Sequence, residues 1–310
     1  MPTLNDLLNH QHFLINDGAM ATELEKAGVD TNNALWSAMA LITDPQAVVA
    51  VHRSYFEAGA NIATTNSYQA NPQAFAALGM TAAASDRLIQ QTVALAQQAR
   101  RDYLVTHPQR AGDLLIAGSI GPYGAYLADG SEYTGDYALT GRQYHDFHRR
   151  RLQLLAATGA DFFALETMPN IQELQALLGL LHAEFPTMTA WASLSVGDYH
   201  DRLCDGTPLT TVCRLLNASD QIRAIGINCT AMTNVTATLA TLRPLTDKPI
   251  VVYPNNGDRY DPSDKSWHSN PDAPSFATLA PQWQQAGASI IGGCCRTTPA
   301  DIQAIAQSCR

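Results

Sequence analysis

The feature that most constrains this chain is a rhythm. Short β-rich runs, mostly closing on Gly, Asn, Asp or Ser, alternate with longer stretches rich in Ala, Leu and Gln, whose apolar residues fall three and four apart. Eight such runs are legible: "FLIND" (Phe13 to Asp17), "NIATTN" (Asn61 to Asn66), "LLIAGS" (Leu114 to Ser119), "FFALET" (Phe162 to Thr167), "TAWASLS" (Thr189 to Ser195), "AIGINC" (Ala224 to Cys229), "PIVVYPN" (Pro249 to Asn255) and "SIIGGCC" (Ser289 to Cys295). Stretches such as "SDRLIQQTVALAQQARRDYL" between them carry the apolar stripe of a helix lying on a sheet. The phrases "EAGANI", "ATGADF" and "QAGASI" each place a glycine where a helix ends and a strand begins, a position that favours a left-handed residue. Eight strand-then-helix units in 310 residues predict a closed (β/α)8 TIM barrel spanning 1–310 as one domain. The competing open, doubly wound sheet calls for a G-x-G-x-x-G turn after the first strand, and "NDGAM" lacks it.

Composition narrows the function classes. With 28 acidic against 19 basic side chains the formal charge is −9, and the densest basic run, "HRRR" from His148 to Arg151, reads as one polar helix face. Nucleic acid is therefore not an expected partner. No window reaches about 18 consecutive apolar residues, and the N-terminus has no basic stretch leading into an apolar one, so a soluble, cytoplasmic protein is expected, without a membrane partner. Six scattered cysteines in a chain of this length fit reduced thiols better than a disulfide scaffold. Nothing in the sequence indicates an oligomeric state.

In a barrel of this kind the active site forms at the C-terminal ends of the strands. What falls there is Asp17, the segment Asn66 to Tyr68, Ser119, Glu166, Cys229, Asn255 and the adjacent pair Cys294 and Cys295. Three thiols from two strand ends suit a zinc site that keeps its fourth position open. Two other readings compete: cysteines packed as small apolar residues, and a strained vicinal disulfide. The shared barrel face favours zinc. The "GG" before "CC" is expected to relax the backbone so that both sulfurs turn toward one ion. Cys204, Cys213 and Cys309 lack such a setting. His145, His148, His200 and His268 are rival ligands that read better as surface or internally bonded histidines, with His268 kept as a pocket residue. Two long polar interruptions, Gly121 to Tyr137 and Asn255 to Ser275, read as loops over the active face.

The stretches "DGAMATELE", "GSIGPYGAYLADGSEYTGDY", "ETMPN", "GINCT", "VVYPNNGDRYD" and "GGCCRTTPADI" together resemble the homocysteine S-methyltransferase family, specifically its bacterial branch that uses S-methylmethionine. The resemblance runs along essentially the whole chain. It implies a homocysteine-binding, zinc-holding (β/α)8 barrel like those of betaine-homocysteine methyltransferase and the homocysteine-binding part of methionine synthase. It also implies methyl transfer from a sulfonium, S-methylmethionine or S-adenosylmethionine, to the thiolate of homocysteine. Asp17 and Glu166 match the acids that hold the substrate ammonium in the family, and Asn255 matches an asparagine able to approach the metal. Amides of Gly18, Ala19 and Met20, opening the next segment, are candidates for the substrate carboxylate, with Ser119 as a further contact. Tyr123, Tyr126, Tyr133 and Tyr137 are candidates for cation-π contact with a sulfonium. The chain departs from the family pattern at Asp258, where glutamate is usual, and at the alanines of "DGAMAT". Only one helix is expected after the last strand, so no corrinoid module is expected. Alternatives are a methyltransferase for selenocysteine or another thiol, and a non-catalytic zinc-binding or thiol redox-sensing barrel.

Overall fold

The structure is a computed structural model that describes residues 2–33, 35–261, 266–270 and 272–309; within 259–267 the backbone alone is described. Eight parallel strands make the barrel: β1 (Leu14–Ile15), β2 (Ile62–Thr64), β3 (Leu115–Ile120), β4 (Phe162–Met168), β5 (Ala190–Leu194), β6 (Ile222–Asn228), β7 (Ile250–Tyr253) and β8 (Ala288–Ile291). Neighbours in sequence are neighbours in space, and β8 returns beside β1 with Leu14 opposite Ile290 and Ile15 opposite Ile291. A parallel bridge between Asn16 and Ile62 closes the ring, with Asn61 N donating to Ile15 O at 2.7 Å and Asp17 N to Ile62 O at 3.1 Å. The expected barrel is thus the observed one.

After each strand the chain forms one of the outer helices: Pro45–Ala58, Ala82–Thr106, Gly141–Thr158, Ile171–Glu184, Leu209–Asn217, Met232–Leu242, Phe276–Gln285 and Pro299–Ser308. The three "AGA" and "TGA" glycines, Gly59, Gly159 and Gly287, adopt φ values of 109°, 89° and 103°, so each joint turns through the left-handed conformation its sequence predicted. Alternation along the strands sorts the core into two shells. Leu115, Ala117, Phe162, Ala164, Trp191 and Val251 fill the barrel interior, while Ile116, Phe163, Leu165, Ile225 and Val252 meet the helices.

Two differences from the sequence reading matter for the site. The β1 and β8 ladders stop at Ile15 and Ile291, so Asp17, Cys294 and Cys295 lie beyond their strands rather than within them. The segment before β1 is a helix, Leu4–Gln11, opened by a Thr3/Asp6 capping box, and its Leu4, Leu7 and Leu8 close the bottom of the barrel. Of the two expected loops, 121–137 holds a helix, Tyr123–Leu127, and a 3-10 turn, Ser131–Tyr133. The other carries a hairpin pairing Arg259–Asp261 with Ser266–His268; residues 262–265 and 271 of that call lie outside the described residues. No described helix is long and apolar enough to cross a membrane.

Candidate active site and metal centre

Cys229, Cys294 and Cys295 come together at the top of the barrel, with all three sulfurs within 4.8 Å of one another. Cys229 Sγ and Cys295 Sγ are 3.5 Å apart. Two ligands of a tetrahedral zinc with bonds of about 2.3 Å sit about 3.8 Å apart, so this spacing fits a shared ion. Among the described residues no other cluster of His, Cys, Asp or Glu has such geometry, and none of the rival histidines joins this one. Hydrogen bonds from Cys294, Cys295 and Tyr133 pull the Cys229 thiol well below its usual range, and sharing with Cys229 pushes the other two well above it. A divalent cation would relieve that mutual repulsion.

The loop that presents the paired cysteines is built by close approach. Gly292 and Gly293 do not adopt left-handed φ, contrary to the expected relaxation; the left-handed residues nearby are Cys229 (51°) and Arg296 (66°). A Cβ on Gly293 would overlap Thr297 Oγ1, and one on Gly292 would lie 2.7 Å from Asn16 Cβ. The glycines therefore let this loop seat against β1 and against its own continuation. Its amides are pinned as well: Gly293 N donates to Asp17 O (3.0 Å), Cys294 N to Pro254 O (2.7 Å) and Cys295 N to Asn255 Oδ1 (3.1 Å). Thr297 Oγ1 closes the turn on Cys294 O at 2.6 Å.

Beside the thiols lie two buried carboxylates. Asp17 Oδ2 accepts from Thr64 N at 2.7 Å, and burial raises its pKa well above the ordinary carboxylate range. Glu166 accepts from Ser119 Oγ, and burial, only partly offset by hydrogen bonds, lifts it to about 7. Each is disfavoured as an anion by lost hydration, and a bound ammonium would restore the charge.

A family model described as homocysteine S-methyltransferase matches residues 14–309. The chain belongs to the homocysteine S-methyltransferase family. It is 51% identical over 303 residues to the homocysteine S-methyltransferase of Escherichia coli strain K12, covering 97% of each chain. It is 44% identical to YbgG, the homocysteine S-methyltransferase of Bacillus subtilis strain 168, covering 99% of this chain and 97% of that one. Its fold overlays a crystal structure of the Escherichia coli homocysteine methyltransferase MmuM in its metallated form with a TM-score of 0.89, at 49% identity and over 97% of this chain and 98% of that one.

Within this family member the expected residues fall into place unevenly. Ser119 faces Glu166 and orients it, with its own amide held by Thr65 Oγ1 at 3.0 Å. Of the amides at Gly18, Ala19 and Met20, that of Ala19 is already taken by Thr297 Oγ1 at 3.0 Å. Asn255 sits at the thiol loop, where its Oδ1 holds the Cys295 amide. Of the four tyrosines, Tyr123 packs against Tyr126, Tyr137 and Phe147 with ring centroids 5.1–5.8 Å apart, so three of the four serve the loop itself. Only Tyr133 reaches the thiols, its Oη lying 3.1 Å from Cys229 Sγ. The "HRRR" run is not one polar face. His148 and Arg151 are fully buried, where Arg151 donates to Tyr68 O (2.9 Å) and Gly121 O (2.7 Å) and His148 bonds Glu173 (2.7 Å), while Arg149 and Arg150 form surface ion pairs.

Three further residues at the site lie within the family-like stretches "GINCT", "GGCCRTTPADI" and "GSEYTGDY" but have no local feature that assigns them a role. Asn228 Oδ1 accepts from Thr167 N (2.8 Å) and Ser193 Oγ (2.7 Å), fixing the residues that flank Glu166 and Cys229. Thr297 braces the thiol loop as described. Glu132, next to Tyr133, has one carboxylate oxygen buried with no hydrogen-bond partner among the described residues, and burial raises its pKa to about 7.

Proposed function

We propose that this protein transfers a methyl group from a sulfonium donor, S-methylmethionine or S-adenosylmethionine, to the sulfur of L-homocysteine, forming methionine, with a zinc ion held by Cys229, Cys294 and Cys295. The observation that carries the reading is the convergence of three thiols with two buried carboxylates at one barrel mouth, in a member of this family. An all-sulfur donor set suits zinc over the harder magnesium or calcium. Bound there, the ion supplies the Lewis acidity that keeps a substrate thiol deprotonated near neutral pH.

The chain's own groups position the rest. Asp17 and Glu166 receive the homocysteine ammonium, Ser119 steadies Glu166, and the amides of Gly18 and Met20 face the carboxylate. Asn255 holds the Cys295 loop in its liganding shape. The homocysteine sulfur lone pair forms the new bond to the methyl carbon as the old carbon-sulfur pair returns to the donor sulfur, leaving a neutral thioether. The thiol proton goes to solvent, and no general acid is needed because the leaving group takes no proton. In this reading residues 1–310 act as one homocysteine-binding domain on small-molecule substrates. The six unpaired cysteines suit a reducing cytoplasm.

The test is methionine formation from homocysteine and each donor by purified protein, with zinc measured on the same sample. Cys295→Ser is expected to lose the metal and at least about 100-fold in activity. Full activity in metal-free protein would overturn the mechanism. Zinc binding without turnover of any thiol and sulfonium pair would favour a non-catalytic zinc-binding or redox-sensing barrel.

A further inference from the structure

The site is short of positive charge. Asp17, Glu166, Glu132 and three thiols meet at the barrel mouth, and among the described residues no Lys or Arg forms an ion pair with any of these acids. Arg296, the nearest residue in sequence to bear a cation, is directed to Glu25 Oε2 (3.3 Å) and Asp258 Oδ2 (3.4 Å). Asp17 and Glu166 have hydrogen-bond partners and, in the reading above, a ligand. Glu132 has neither.

Its placement is fixed. Ser131 N and Oγ both donate to Asp129 Oδ1, at 3.0 and 2.5 Å, and Gly135 N donates to Ser131 O at 2.8 Å. Gly124 lies so close under the turn that a Cβ there would stand 2.7 Å from Glu132 N. This clamped turn sets Tyr133 Oη 3.1 Å from Cys229 Sγ, and the Glu132 carboxylate acts electrostatically on Cys229, Cys295 and Tyr68. A rigid backbone thus holds a carboxylate oxygen buried and unpartnered on the thiol side of the loop. An isolated buried anion is costly, and a cationic ligand removes the cost.

We propose that Glu132 is the counter-ion for the methyl donor, pairing with the donor's α-ammonium. This rests on the proposed sulfonium amino-acid donor. The α-ammonium is a better assignment than the sulfonium centre for an energetic reason. The sulfonium loses its charge as the methyl leaves, so a carboxylate against it would stabilise the bound donor more than the transition state. The ammonium keeps its charge throughout, and binding it serves both states equally.

The experiment is steady-state kinetics of Glu132→Gln, an isosteric change, with Glu132→Asp alongside and zinc content and melting temperature recorded for both. Expected for the Gln variant is a donor KM at least tenfold higher, with kcat, the homocysteine KM and zinc content each within threefold of the parent, and partial recovery in the Asp variant. Dimethylsulfoniopropionate, a sulfonium with a carboxylate and no ammonium, is then compared as substrate or competitive inhibitor, and its affinity should be the same in parent and Gln variant. An unchanged donor KM overturns the proposal. So does an equal rise in both KM values, loss of zinc, or weakened binding of the ammonium-free sulfonium. Failure of the parent protein to methylate homocysteine from any sulfonium would instead sink the reading of function, a separate outcome.

Discussion

The two mouths of this barrel are built from opposite materials. At the bottom, Leu4, Leu7 and Leu8 of the helix Leu4–Gln11 sit on an apolar interior that continues through Leu14, Ile62, Leu115 and Phe162. At the top, the same lumen ends in Asp17, Ser119, Glu166 and the three thiols, with Cys294 the last residue packed on the apolar column. The lower end removes apolar surface from water and returns stability. The upper end keeps buried ionisable groups whose lost hydration costs the free protein stability. Stability and chemistry are thus separated along one axis, as the barrel architecture allows.

Three changes break or sharpen this contrast. The largest is Leu7→Ala in the bottom plug, expected to cost about 2–5 kcal/mol of stability in a urea melt while leaving both KM values within twofold. A tenfold loss of affinity for either substrate would mean that the ends are coupled. Next, Gly293→Ala forces a methyl into the space of Thr297 and displaces the paired cysteines; metal affinity, followed with a chromogenic chelator, should fall about 10–100-fold with little change in melting temperature of the metal-free protein. Unaltered metal affinity would show that the loop tolerates the shift.

The smallest effect is in pH. Glu166, lifted to about 7 by burial, must ionise to pair with an ammonium, so kcat/KM for homocysteine should rise through that region, by up to about tenfold per unit, and Glu166→Gln should flatten this limb. The stability effect has the opposite sign. A folded-state carboxyl raised above its ordinary value binds more protons than the unfolded chain, so its ionisation destabilises the free protein as pH rises from the usual carboxylate range to about 7. Glu166→Gln should lessen that decline. A parent protein whose stability rose over this window with no other group responsible would contradict it.

Most of the frame was legible because it is periodic. All eight strands follow from alternation bounded by helical stripes, and the helix-to-strand glycines follow from a local conformational rule. The thiol triad was legible because topology alone brings strand ends together. What escaped the sequence depends on contacts between loops far apart in the chain. The Tyr133 to Cys229 contact spans 96 residues, and nothing local separates Tyr133 from Tyr123 or Tyr126, which pack within the loop. A sequence pattern suggests torsional freedom at the glycines before the cysteines, whereas their neighbours Asn16 and Thr297 make absence of a side chain the property that counts. Arg151 looked like surface charge because its acceptors are carbonyls of Tyr68 and Gly121, invisible in any pattern of side chains.

Asn228 bridges β4 and β6 by accepting from Thr167 N and donating to Thr167 Oγ1, each at 2.8 Å. It thereby fixes the residue after Glu166 against the residue before Cys229, and with them the span from the amine end to the sulfur end of the proposed substrate. The amide works as the spacer block of a caliper. If homocysteine binds as proposed, a thiol amino acid one methylene shorter is expected to bind less well, by about 1–3 kcal/mol, because the two jaws are held at a set separation.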